Sequence, residues 1–157
     1  MLAESFMPVI RPSRVQEKDA LLALWERSIR ASHLFLTEDD ILFYHPLVWE
    51  VLISDMELWI AQDGATGSPL GFMGLATGEF GEAWRLEALF VDPEHFCKGV
   101  GTLLVTQARL LKGRLSLDVN EQNQGAREFY RNLGFVETGR SPLDGTGRPF
   151  PLIHMFG

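Results

Sequence analysis

Apolar positions along the chain follow two periods. Val9-Ile-Arg-Pro12 reads as a short first strand. From Glu17 to Arg30, Leu21, Leu24, Trp25 and Ser28 fall on one side at helical spacing, which predicts a helix. Residues Ala31 to Phe43 form a connecting segment, and a second helical stretch covers Asp39 to Ile53, with Pro46 inside it marking a start or a break. Leu58-Trp-Ile-Ala61 is a strand. The turn-forming run Asp63-Gly-Ala-Thr-Gly-Ser-Pro69 joins it as a hairpin to Leu70–Thr77, and Gly78 to Ala83 turns the chain again into Leu86–Val91. A helical run from Thr102 follows, with Val100, Leu104, Ala108 and Leu111 as its buried stripe and Gly113 ending it in the left-handed conformation. After a strand at Leu115–Val119, Asn123 is placed to cap a helix whose inner side is Ala126, Phe129, Tyr130 and Leu133, closed by Gly134. Phe135–Thr138 and Leu152–Phe156 read as two last strands. This order predicts a mixed α/β layer fold with its parallel crossovers around the third and fourth helices.

Composition narrows the class. The 157 residues, 46% hydrophobic and 22% charged, fit one domain over 1–157 with a substantial core. No apolar run reaches the roughly 20 residues of a membrane span, and Met1 to Pro8 lacks the basic and apolar regions of a secretion signal. Cys97 is the only cysteine, so no internal disulfide forms, and the expected location is the cytoplasm. The net charge of −7 argues against nonspecific nucleic-acid binding, which depends on neutralising phosphate.

The chemistry concentrates in residues 86–135. A strand ending Val91-Asp-Pro93 runs into His95-Phe-Cys-Lys-Gly-Val-Gly101 and then a helix. A glycine turn feeding a helix N-terminus leaves N–H groups pointing outward, and the helix dipole favours an anion there. It is not a P-loop, because no Lys follows Gly101. It is not the dinucleotide fingerprint either, because Leu104 stands where a third glycine is needed. The second half, Asn123, Ala126, Phe129-Tyr130 and Gly134-Phe135, brings a phenol that can act as an acid near the same anion.

The two halves in this order and spacing resemble the GCN5-related N-acetyltransferases (GNAT). The likeness extends over nearly the whole chain, from Ile10-Arg-Pro12 and Lys18-Asp-Ala20 through Pro69-Leu-Gly-Phe72 to Pro149-Phe-Pro-Leu152. It implies an α/β GNAT fold: a mixed, mostly antiparallel central sheet of six to seven strands, helices on both faces, splayed in the middle at the cofactor site. It also implies an N-acetyltransferase that moves an acetyl group directly from acetyl-CoA to a primary amine, without a metal. The acceptor is a protein lysine, a protein N-terminus or a small amine, and the protein is a monomer or homodimer with no nucleic-acid or membrane partner.

The resemblance carries roles to individual positions. The loop Phe96, Cys97, Lys98, Gly99, Val100, Gly101 and Thr102 would hold the coenzyme A pyrophosphate through its amides. Phe96 stands where the family has Gln or Arg, and Lys98 offers compensating charge. Leu89, Phe90 and Val91 would pair with the pantetheine arm through their main chain, and Asn123, Ala126 and Phe129 would border it. Tyr130 would protonate the leaving thiolate. The proton acceptor for the amine is Glu87, which strand alternation places with Arg85 and Leu89, or Asp118; water is the third route. His33 and Phe35 fall in the acceptor-side segment. The departure at Phe96 supports an alternative, a noncatalytic acyl-CoA-binding or sensing module on the same fold.

Overall fold

The computed structural model describes residues 7–54 and 56–157; residues 1–6, with most of the stretch read for a secretion signal, lie outside it. The chain forms one seven-stranded sheet in the order β1-β2-β3-β4-β5-β7-β6. In chain order these are β1 Pro8–Pro12, α1 Lys18–Ser32, α2 Glu38–Ile53, β2 Glu57–Asp63, β3 Pro69–Ala76, β4 Trp84–Val91, α3 Val100–Lys112, β5 Leu115–Asn120, α4 Gln124–Asn132, β6 Val136–Ser141 and β7 Leu152–Phe156. All neighbouring pairs are antiparallel except β4 and β5. Among the described residues no helix is long and apolar enough to cross a membrane.

Two hydrophobic clusters lie on opposite faces, separated by strand alternation. Leu58, Ile60 and Phe72 pack with Leu21, Leu24, Trp25 and Ile29 of α1 and with Ile41 and Leu52 of α2. Ala61, Met73, Leu75, Leu117 and Met155 pack with Val100, Leu104, Val105 and Ala108 of α3 and with Tyr130 of α4. The period of 2 along each strand thus sends adjacent residues to different helix layers.

Several expectations change in detail. The segment between the first two helices is short, because α1 runs to Ser32 and α2 begins at Glu38. Pro46 neither starts nor breaks α2 but sits within it. The start is set by Thr37, whose hydroxyl accepts from Asp40 N while the Asp40 carboxylate accepts from Thr37 N. In α3 the stripe uses Val105, whereas Leu111 is 41% exposed, since the last turn has left the core cluster. The helix begins at Val100 rather than Thr102. Gly113 ends it with positive φ but extended ψ (79°, −148°), outside the left-handed well.

Position within the sheet matters most at β4. Leu75 lies opposite Leu86 while Gly74 lies opposite Ala88, so Glu87 is an extra residue in a β-bulge. Leu86 and Leu89 therefore both pack on the α3 side, and Ala88 and Phe90 on the α1 side. The expected grouping of Glu87 with Leu89 fails for this reason; Glu87 stays with Arg85, which it meets at 2.7 Å. Past the bulge β4 leaves β5: the two pair only at Trp84↔Leu115 and Arg85↔Ser116.

Candidate active site

A cavity of about 540 Å³ lies along the end of β4 that has left β5. Its walls include Leu89, Phe90 and Val91 of β4, the loop residues Phe96, Cys97 and Gly99, and Val100, Gly101 and Thr102 at the start of α3. Asn123, Ala126, Phe129 and Tyr130 close it from α4, and His33 from the end of α1. Local sequence explains each wall. Gly99 caps α3 with φ 82°, a conformation side chains disfavour, and no side chain caps the helix, so its first amides stay available. At Gly101 a Cβ would lie 3.1 Å from Phe129 Cζ, so the absence of a side chain lets α3 and α4 approach at the cavity floor. Asn123 caps α4 by accepting from Ala126 N at 3.1 Å while also lining the cavity. An Asn123→Ala variant is expected to lose about 1 kcal/mol of stability by urea denaturation, the usual value of an N-cap.

Tyr130 is 8% exposed and packs edge-on to Phe129 and Phe135, with ring centroids 5.1 and 5.5 Å away. Burial pushes its phenol pKa above the ordinary tyrosine value, so the hydroxyl keeps its proton across the neutral range. The hydroxyl makes no hydrogen bond among the described residues, and Tyr130 is one of the residues that line the cavity.

The two carboxylates form a separate cluster at the root of the gap. Arg85 donates to Glu87 at 2.7 Å and to Asp118 at 3.0 Å, so one guanidinium bridges the candidates across the last paired rung of β4 and β5. Asp118 also meets His154 Nδ1 at 2.5 Å, and His154 Nε2 lies 2.7 Å from Ser141 Oγ. Gly139 leaves room for that imidazole, since a Cβ there would stand 3.3 Å from His154 Cδ2. Neither Glu87, Asp118 nor Phe35 lines the cavity itself, and Lys98 is exposed outside it, so the compensating charge expected from Lys98 does not line the cavity.

The structure adds residues that the sequence reading missed. Ser28, Ser32, His95 and Gly125 line the cavity. Ser28 did carry a signal, a polar residue on the apolar stripe of α1. The 142–151 loop folds onto the first half of α2: Tyr44 donates to Asp144, Arg148 bonds Asp40 at 2.7 Å, and the Arg148 guanidinium lies 3.8 Å above the Phe43 ring. Phe150 lies 5.9 Å from Phe35, whose ring is 5.4 Å from His33.

A family model described as an acetyltransferase (GNAT) domain matches residues 54–137. The peptidyl-lysine N-acetyltransferase YjaB of Salmonella typhimurium is 40% identical over 93% of this chain and 95% of its own length. The peptidyl-lysine N-acetyltransferase YiaC of Escherichia coli is 30% identical over 81% of this chain and 82% of its own. The solution structure of apo-form YjaB from Escherichia coli superposes with a TM-score of 0.83 at 37% identity, covering 96% of this chain and 97% of that one. A PaiA N-acetyltransferase from Thermoplasma acidophilum, solved with coenzyme A, shares the fold at a TM-score of 0.77 and 18% identity, over 96% of this chain and 98% of that one.

Proposed function

The chain belongs to the GNAT acetyltransferases and is an N-acetyltransferase, and from that premise we propose that its donor is acetyl-CoA and its acceptor the side-chain amine of a protein lysine. The enzyme assignment replaces the alternative of a noncatalytic module. The observation that carries the donor reading is the parted β4–β5 pair beside a cavity lined by the uncapped start of α3 and by buried Tyr130. The lysine reading rests on the printed activity of relatives that match the chain nearly end to end.

The residues present fit the donor. The α3 amides and the loop from Phe96 to Thr102 hold the pyrophosphate, as helix N-termini hold anions. Beyond Arg85 the edge of β4 that faces β5 has no ladder partner there, and it pairs with the amide-bearing arm as an added strand would. Bound acetyl-CoA supplies the activated acetyl group. A main-chain N–H of β4 polarises the acetyl carbonyl. Tyr130 holds at its hydroxyl the proton that a departing thiolate needs, and its raised pKa keeps that proton in place until then. Glu87, with Asp118 as the second carboxylate on Arg85, lies outside the cavity lining and receives the amine proton through water.

A thiol-release assay tests the reading. With acetyl-CoA, peptides that contain lysine are expected to be turned over and the same peptides with ε-acetylated lysine are not. N-terminal peptides without lysine and small polyamines serve as competing acceptors. Turnover confined to the competitors overturns the lysine assignment, and acetyl-CoA binding without transfer to any amine overturns the whole reading.

A further inference from the structure

Resting on the lysine reading above, we propose that His33 seats the acceptor nitrogen through its Nε2, and that the rings of Phe35, Phe150 and Tyr44 carry the alkyl chain that leads to it.

The hydrogen bonds around His33 determine which ring nitrogen holds the proton. Ser32 Oγ donates to the Ser28 carbonyl at 2.8 Å. A serine hydroxyl has one proton, so the 2.8 Å contact between Ser32 Oγ and His33 Nδ1 has Nδ1–H as its donor. A neutral ring in that tautomer has a lone pair at Nε2, and Nε2 has no partner among the described residues. Burial favours the neutral ring, pushing its pKa down to about 4. His33 lines the same cavity as Leu89 and Tyr130, which puts its ring at the site where the acetyl group is handled. A neutral acceptor there suits an N–H donor and does not repel an incoming cation.

From His33 a series of half-buried rings leads away from the cavity. His33 and Phe35 are 5.4 Å apart, Phe35 and Phe150 5.9 Å, and Phe150 and Tyr44 6.3 Å. The Tyr44–Asp144 hydrogen bond and the Arg148–Asp40 ion pair hold the 142–151 loop in this position, which occupies the charges nearest the rings. An apolar wall ending at a hydrogen-bond acceptor matches an unbranched alkyl chain with a terminal amine.

The test compares His33→Gln, His33→Ala and Phe150→Ala with wild type. With a lysine peptide, the His33 variants are expected to raise KM for the amine about tenfold, the worth of one lost hydrogen bond, with the acetyl-CoA Kd unchanged. Phe150→Ala is expected to raise KM for the lysine peptide and leave KM for ethylamine as in wild type. Nitrogen-15 NMR of the ligand-free wild type is expected to show His33 protonated at Nδ1 and bare at Nε2 between pH 6 and 8, which requires no turnover. An Nε2–H tautomer overturns the proposal. Unchanged amine KM in both His33 variants also overturns it, as does a loss confined to acetyl-CoA affinity, which would assign the ring to the cofactor arm. If wild type acetylates only another amine, the lysine reading fails by itself, and the His33 comparison is decided with that amine.

Discussion

A Tyr130→Phe enzyme is expected to transfer acetyl groups at least about a hundredfold more slowly than wild type while binding acetyl-CoA equally well. Positioned acids contribute roughly a hundred- to ten-thousandfold, and the substitution removes only the hydroxyl. The ring remains between Phe129 and Phe135, so the packing that makes Tyr130 part of the core is retained. No hydrogen bond within the described residues is lost with the hydroxyl, so the melting temperature is expected to stay within a few degrees of wild type. The measurement is kcat by thiol release beside Kd by equilibrium dialysis. Undiminished turnover would remove Tyr130 from the mechanism. A fall in affinity equal to the fall in rate would make it a binding residue instead.

The largest loss of stability is expected at Phe72. This residue is 1% exposed on β3, packs in the cluster under α1 and α2, and meets the Phe90 ring at 5.6 Å. Phe72→Ala removes that volume from a layer bounded by a sheet and two helices, which have little freedom to collapse into the cavity. The expected cost is about 3–5 kcal/mol, read as a lower urea midpoint at unchanged slope. Because Phe90 lines the cavity proposed to take acetyl-CoA, acetyl-CoA affinity is expected to weaken as well. A loss below about 1 kcal/mol would mean that the layer rearranges around the vacancy.

Features governed by neighbours in the chain were readable in advance. Asn123 caps α4 because a cap needs only a side chain three residues before the amide it serves. Gly99 takes positive φ and Gly101 lies against Phe129 at the turn where the pattern Gly-Val-Gly had placed an anion site. The hairpin at Asp63–Pro69 forms because Asp63 caps its own turn, bonding Ala65 N and Thr66 N. Pro46 misled because its cost to a helix is local, whereas the packing of Ile41 and Leu52 that keeps α2 intact is not.

Features that depend on distant partners were not readable. The bulge at Glu87 arises from pairing with Gly74 and Leu75, and it redirects the side chains on which the catalytic reading of β4 relied. Asp118 and His154 are opposite each other because β7 inserts between β5 and β6, an order no local pattern reveals. The loop at 142–151 reaches α2 through Tyr44–Asp144, partners 100 positions apart. Motif order and period therefore determined the family, the elements and the glycine turn, because glycine conformations, caps and amphipathic stripes are settled within a few residues. Only the tertiary structure decided which carboxylates Arg85 binds, which nitrogen of His33 has no partner among the described residues and which rings follow one another from His33 to Tyr44. Those outcomes follow from which strands pair and which loops fold back, and that choice is made by burial and hydrogen bonding across the whole chain.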